Sequence, residues 1–202
     1  MATFIEMPPA LGTSEVVRDA YELLVSKHAG QRQKVNGHPY VEHPVLVADD
    51  VGRAGFDPEM VAAALLHDIV EDSDETVEEV RERFGSRVAD LVDAMTDTAE
   101  IEPYERRKSL HRRRVAAAGP DAAAIFAADK LNNVRALRSA YEEEGEEVAK
   151  RFKQPLDIKV RVWIADAGFV SGFDTAAPFV QVLEDEVASL QTDRRLRTRR
   201  AS

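Results

Sequence analysis

Residues 57–72 read Asp57-Pro58-Glu59-Met60-Val61-Ala62-Ala63-Ala64-Leu65-Leu66-His67-Asp68-Ile69-Val70-Glu71-Asp72. The first three residues are a helix start. Asp caps the free N–H groups, Pro fits the first turn, and Glu suits the N-terminal dipole. The apolar run that follows is too continuous for a solvent-facing helix, so it predicts a buried one. That helix ends in two charged pairs, His67-Asp68 and Glu71-Asp72. A carboxylate on an interior face is expensive unless a cation, a metal or several donors meet it.

Working outward, nearly every segment reads as helix, and the expected fold class is all-α. Ser14 to His28 carries Val16, Val17, Ala20, Leu23 and Leu24 at helical spacing. Residues 29–42 are polar, hold Gly30 and Gly37, and predict a loop. His43-Pro44 opens a second helix that Gly55 stops. Thr76-Val77-Glu78-Glu79 is a capping box, Phe84-Gly85 closes its helix, and Ser86 caps the next to about Met95. A basic helix over 103–118 stops at Gly119-Pro120. A long one runs from Asp121 to about Glu144, and two or three more fill 146–192. Ile158 to Trp163 alternates like a strand but is read as helix beside its helical neighbours.

The chain has 202 residues, 44% of them apolar, which is enough for one core without staples. It contains no Cys, so disulfides, thiolate nucleophiles, zinc fingers and iron–sulfur clusters are excluded. The start, Met1 to Pro9, has no charged-then-apolar leader pattern, and no apolar run suits a membrane span. A cytoplasmic protein without a membrane partner is expected. The net charge is −10, but residues 193–202 hold five Arg against one acid, leaving −14 on the first 192. So acidic a body repels nucleic acid, and none is expected as partner. Residues 1–192 are read as one domain and 193–202 as an Arg-rich tail, solvated rather than bound to phosphate.

Two further places join His67-Asp68. His43 begins the preceding helix. Asp129 lies in Phe126-Ala127-Ala128-Asp129-Lys130-Leu131-Asn132-Asn133, where residues 125, 129, 132, 133 and 136 share a face. That face is either a polar helix edge or a ligand with neighbouring hydrogen-bonders. His43, His67, Asp68 and Asp129 together make a mixed N/O set that suits Mn, Fe(II), Co or Zn, and does not suit Ca. Glu71 and Asp72, one turn on, are either a solvated acidic loop or a general acid/base pair. The cations Arg106, Arg107, Lys108, Arg112, Arg113 and Arg114 make either an anion-facing wall or a solvated face. His28 and His38 flank the loop and are either substrate contacts or, by default, ordinary surface histidines; Trp163 reads as core, and His111 has no evident partner.

The order His43, His67-Asp68, Asp129 resembles HD-domain metal phosphohydrolases. More closely, the chain resembles the hydrolase domain of RelA/SpoT-type proteins and the small alarmone hydrolases. The stretches that carry the likeness are His28-Ala29-Gly30-Gln31, Gly37-His38-Pro39-Tyr40-Val41-Glu42-His43-Pro44, Ala63 to Asp72, Phe84-Gly85 and Ala128 to Asn133. They span about 14–140. The resemblance implies an HD-domain helical bundle and a stand-alone enzyme. The implied reaction is divalent-metal-dependent, most naturally with Mn2+, and removes the 3′-pyrophosphate of guanosine tetra- or pentaphosphate, a small nucleotide. It implies His43, His67, Asp68 and Asp129 as metal ligands, and Glu71 and Asp72 as acids acting on the attacking water. Lys34, Tyr40 and Asn133 then hold the nucleotide, with a further phosphate contact from Lys150 or Arg151. Gln33 stands where the family usually has Arg on the guanine; Arg32, one residue earlier, is its substitute. Ser73 keeps the hydroxyl of the family's usual Thr.

Overall fold

The computed structural model describes residues 7–11, 14–97 and 102–201, except the side chains of 10 and 195–201. Its elements are helices: α1 (Glu15–Lys27), α2 (Glu42–Arg53), α3 (Pro58–Leu65), α4 (Ile69–Asp72), α5 (Val77–Phe84), α6 (Ser86–Met95), α7 (Tyr104–Ala118), α8 (Pro120–Glu144), α9 (Leu156–Val170) and α10 (Ala177–Ala201). A short 3₁₀ turn at Pro9–Leu11 precedes α1, and two more, at Gly145–Arg151 and Asp174–Ala176, fill the α8–α9 and α9–α10 connections. No strand occurs among the described residues. An isolated antiparallel bridge pairs Arg32 with Pro39 in the α1–α2 loop.

The axis of the bundle is α8, which α2, α7, α9 and α10 pack around. Ala122 to Ala128 is buried in full. Its five alanines let neighbouring helices approach closely, while Ile125 and Phe126 supply bulk. Residues Met60 to Leu66 of α3 are buried as their composition predicts, and α3 contacts α1, α2, α6 and α8. Each fully buried Leu there contributes roughly 1.5–3 kcal/mol. Ile158 to Trp163 is helical, in α9, and Trp163 is core.

The caps follow the sequence in two cases and depart from it in one. Asp57 accepts from the N–H groups of Glu59 and Met60, and Thr76 and Glu79 close a capping box. Ser86 does not cap. It is the first residue of α6, and Gly85, at φ +88°, holds the cap position. A left-handed φ there costs Gly no Cβ clash, so the chain turns within one residue.

The helix expected to run unbroken through Asp72 is interrupted. Leu66 donates to the carbonyls of both Ala62 and Ala63, and Leu66 and Asp68 sit near φ −100°, ψ 5°. This bridge-region backbone tightens the helix end and restarts it as α4, which changes the direction of Asp68, Glu71 and Asp72. Ser73 closes α4, its hydroxyl donating to the Ile69 carbonyl at 2.6 Å. The last helix, α10, continues through residue 192 to Ala201. The Arg side chains beyond 194 lie outside the described residues.

Candidate metal centre and substrate cleft

Three parts of the fold deliver side chains to a single point. His43 comes from the first turn of α2, His67 and Asp68 from the break between α3 and α4, and Asp129 from the middle of α8. His43 Nε2 lies 3.1 Å from Asp129 Oδ1 and 4.0 Å from Asp68 Oδ2. His67 Nε2 lies 3.2 Å from Asp68 Oδ2 and 3.7 Å from Asp129 Oδ1. One ligand atom each from His43, His67 and Asp129 falls within 4.8 Å of the others.

The tautomer of His67 is set by the fold. Its Nδ1 sits 2.8 Å from the Ala64 carbonyl and so carries the proton. Nε2 is therefore the ring nitrogen that faces the convergence point. It is buried and makes no hydrogen bond among the described residues. A buried imidazole nitrogen left unpaired beside two carboxylates is a cation site, filled by a proton or by a metal. His43, His67 and Asp129 thus fit a divalent metal ion with mixed N/O coordination, and Asp68 lies beside them.

The charges around this point are strongly biased. Burial pushes Asp129 up, but Lys130, His43 and His67 outweigh it and hold the carboxyl well below its usual range. Asp68 is likewise held low, burial being overcome by His67. Burial lowers His67, yet Asp68 and Asp129 carry it up to about 9. Two anionic oxygens and two imidazoles in one buried pocket suit a dication better than protons.

A cleft of about 470 Å³ opens on this point. It is lined on one side by the α1–α2 loop (Gln31 to Val35, Tyr40), on another by Glu71 and Asp72 of α4, and on a third by Asn133 and Ala136 of α8. Burial, then Asp68, raises the Glu71 carboxyl, and its Oε2 accepts from the Asp97 N–H at 3.1 Å. The Tyr40 hydroxyl lies 2.5 Å from Asp72 Oδ2 and 3.0 Å from Asp68 Oδ2, so its single proton is shared between them. Asn133 Nδ2 donates to Asp129 Oδ1 at 2.5 Å. Arg32 lines the cleft with its guanidinium on the Gly37 carbonyl at 2.7 Å. Lys34 also lines it and carries no hydrogen bond or ion pair among the described residues.

Some expected neighbours go elsewhere. Asn132 does not share the cleft: its Nδ2 donates to Asp50 Oδ2 and the Ala128 carbonyl. Lys150 pairs with Glu147, and Arg151 binds the Val35 carbonyl and Glu144, which braces the substrate loop from behind. His28 is not a surface residue. It is buried, its ring stacks on Tyr40 at 4.5 Å, and Nδ1 meets Gln31 Oε1 at 2.8 Å.

Residues 20–154 match the family model described as HD domain. The chain belongs to the HD-domain family. Over 155 residues it is 37% identical to a guanosine-3′,5′-bis(diphosphate) 3′-pyrophosphohydrolase of Aquifex aeolicus, a match covering 74% of this chain and 22% of that protein. It is 33% identical over 141 residues to a protein of the same name from Vibrio cholerae, covering 67% and 20%. The chain thus spans about a fifth of the length of these curated relatives. Among solved structures, a metazoan ortholog of SpoT that hydrolyzes ppGpp superposes with a TM-score of 0.72 at 28% identity, covering 88% of this chain and 97% of that one. A crystal structure from Listeria monocytogenes gives 0.65 at 30% identity, covering 76% and 99%.

Within this HD domain, the structure adds residues that sequence reasoning passed over. Lys130 is buried, with Nζ 2.5 Å from Asp129 Oδ2 and over the Phe126 ring at 4.6 Å. Asp97 holds Lys108 at 2.7 Å and Arg107 at 3.3 Å, and so places the Lys108 ammonium beside Glu71 in the cleft. Of the cations on α7, Lys108 is the one that lines this cleft. Arg112 binds buried Asp166 at 2.7 Å, and Arg114 binds Asp93 and the Thr96 carbonyl. Of the two readings of this cation run, pairing with acidic neighbours accounts for Arg107, Arg112 and Arg114, and Lys108 alone of these cations lines the cleft.

Among the described residues no helix is long and apolar enough to cross a membrane.

Proposed function

We propose that this chain is a metal-dependent nucleotide phosphohydrolase that removes the 3′-pyrophosphate of guanosine tetra- and pentaphosphate, leaving GDP or GTP. The observation that carries the reading is the convergence of His43, Asp68 and Asp129, backed by buried His67, on a cleft that Glu71 also lines. The names of relatives at 33–37% identity support the choice of substrate. In this reading residues 1–192 act as one hydrolase domain, in the cytoplasm where its nucleotide is found.

His43, His67, Asp68 and Asp129 would hold one divalent cation, and Mn2+ matches two imidazoles with two carboxylates. When bound there, that ion supplies Lewis acidity toward phosphoryl oxygen and water. Glu71 takes the proton of the attacking water on Oε1, while its Oε2 stays fixed by the Asp97 N–H; as the new P–O bond forms, the bond between phosphorus and O3′ breaks and that proton passes to O3′. Its raised pKa brings it toward the operating pH, where general bases work best. Asp72 anchors Tyr40, so the tyrosine ring forms a firm wall for the nucleotide. Lys34 and Asn133 hold phosphate or ribose oxygens, Lys34 having no ion pair among the described residues, and Arg32 stands in for the family's Arg beside the base. Gln33 gives the base a neutral neighbour; its Nε2 donates to the Pro39 carbonyl at 3.2 Å.

The test is a substrate panel. Metal-stripped protein, then the same protein restored with Mn2+, is given guanosine tetraphosphate, NADPH and deoxynucleoside triphosphates under equal conditions. The reading requires metal-dependent release of pyrophosphate from guanosine tetraphosphate ahead of the others. Preference for NADPH or a deoxynucleotide would reassign the substrate, and binding without turnover would make the chain a silent nucleotide-binding protein.

A further inference from the structure

His111 sits on α7 one turn after Lys108 and is 4% exposed. Among the described residues neither ring nitrogen has a hydrogen-bond partner. Phe126 meets the ring edge-on at 5.3 Å and satisfies neither nitrogen. Buried imidazole nitrogens left unpaired are costly, and native structures retain such groups where a ligand or ordered water completes them. His111 lines the metal cleft together with Lys108, Asp129, Lys130 and Asn133. It also lines a neighbouring cleft of about 390 Å³, so the two spaces meet at its ring.

The charged groups that face the ring say what that ligand is. Lys108 on its own helix and Lys130 on α8 stand near it, with Asp97 and Asp129 beyond. Burial, Lys130 and Lys108 drive its pKa down to about 4, so the ring is neutral at pH 7 and offers one N–H donor and one lone pair. Lys130 is committed to Asp129, and Lys108, held by Asp97 at 2.7 Å, lines the cleft from the same helix as His111. An ammonium and an imidazole N–H on one wall, opposite the metal ligands, match an acceptor-only polyanion.

We propose that His111 is a substrate-contacting residue whose ring N–H donates to a phosphoryl oxygen of the departing pyrophosphate, while its other nitrogen faces the neighbouring cleft. This rests on the pyrophosphate-releasing reading above.

The probe is inorganic pyrophosphate, added to full-length protein loaded with diamagnetic Zn2+ and labelled with 15N-histidine. The His111 ring signals are identified by their loss in His111→Phe, which keeps the ring packing on Phe126. Expected is a saturable movement of those signals in the wild type. Calorimetry should give pyrophosphate binding weakened about tenfold or more in His111→Phe, as for a lost hydrogen bond to a charged group. His111→Asn, which keeps a donor, should recover part of the loss. Ring signals that stay fixed at saturating pyrophosphate, or no pyrophosphate binding at all, would overturn the proposal even if the variant failed to fold. If guanosine tetraphosphate is not cleaved yet the His111 signals still move, the substrate reading fails and this contact stands. If it is cleaved while the signals stay fixed, the substrate reading stands and this contact fails.

Discussion

The ammonium of Lys130 lies 2.5 Å from Asp129 Oδ2, while Oδ1 of the same carboxylate faces His43 at 3.1 Å. One oxygen is thus neutralised by the neighbouring residue in the chain, and the other, which also accepts from Asn133, faces the convergence point. Both side chains are buried, so the pair is fixed by its desolvation as much as by its attraction.

That arrangement makes Lys130 a positioning residue whose loss is felt most without metal. Lys130→Met leaves a buried carboxylate short of one cation. Breaking such a pair costs about 3–5 kcal/mol. A dication in the pocket replaces part of the missing charge, so added metal should raise the Tm of Lys130→Met more than that of the wild type. Thermal unfolding with and without the metal reads this directly. Equal metal-induced shifts would show that Lys130 does not share the field of the site.

Glu71 and Asp72 should separate binding from turnover. Glu71→Gln keeps the shape and the acceptor for the Asp97 N–H but cannot take a proton. Metal content should be unchanged and kcat should fall by about 10²–10⁴-fold. Asp72→Asn should loosen Tyr40 and raise KM more than it lowers kcat. Full turnover in both variants would return these acids to the status of a loop.

Gln33 sets the expectation for base choice. A guanidinium stacks on a purine with about 0.5–2 kcal/mol that a neutral amide forgoes. The wild type should therefore prefer the guanosine over the adenosine 3′,5′-bis-pyrophosphate only modestly, and Gln33→Arg should widen the ratio by about 2- to 30-fold. A wild-type preference of several hundredfold that Gln33→Arg leaves alone would locate guanine recognition elsewhere.

His111 also predicts a pH signature in the metal-free protein. Its folded value of about 4 lies below the unfolded 6.5, so the unfolded chain binds the extra proton. Stability from this group is whole above about pH 7 and is lost as pH falls through 6.5 toward 4, amounting to about 2 kcal/mol by pH 5. Denaturant titrations at pH 7 and pH 5 should show a smaller loss in His111→Phe than in the wild type. Parallel losses would mean the buried ring does not titrate this way.

How far these features could be read in advance depended on how local their causes are. The clustering of His67 and Asp129 was legible because His67-Asp68 ends a visibly buried run and Asp129 interrupts another; charge inside an apolar stretch needs no tertiary knowledge to stand out. The Asp57 and Thr76 caps were legible for the same reason. The break at Leu66 to Asp68 was not, since Ala62 to Asp72 has an unbroken helical pattern and only the doubled acceptors of Leu66 and the His67 bond to Ala64 reveal it. Ser86 was misread as a cap because its Gly85 neighbour holds that position through backbone conformation. Lys130, Asp97 and the sorting of the α7 cations were invisible for another reason. Their partners, Asp129, Lys108 and Asp166, acquire meaning only when α6, α7, α8 and α9 are packed together.

Attack of water on phosphorus at the 3′-pyrophosphate is the step on which the proposed activity depends, and oxygen labelling tests it most directly. Guanosine tetraphosphate is hydrolysed by the Mn2+-restored protein in H₂18O, and the products are weighed by mass spectrometry. The predicted result is one 18O in the released pyrophosphate and none in the GDP. Label in the nucleoside, or orthophosphate in place of pyrophosphate, would contradict it.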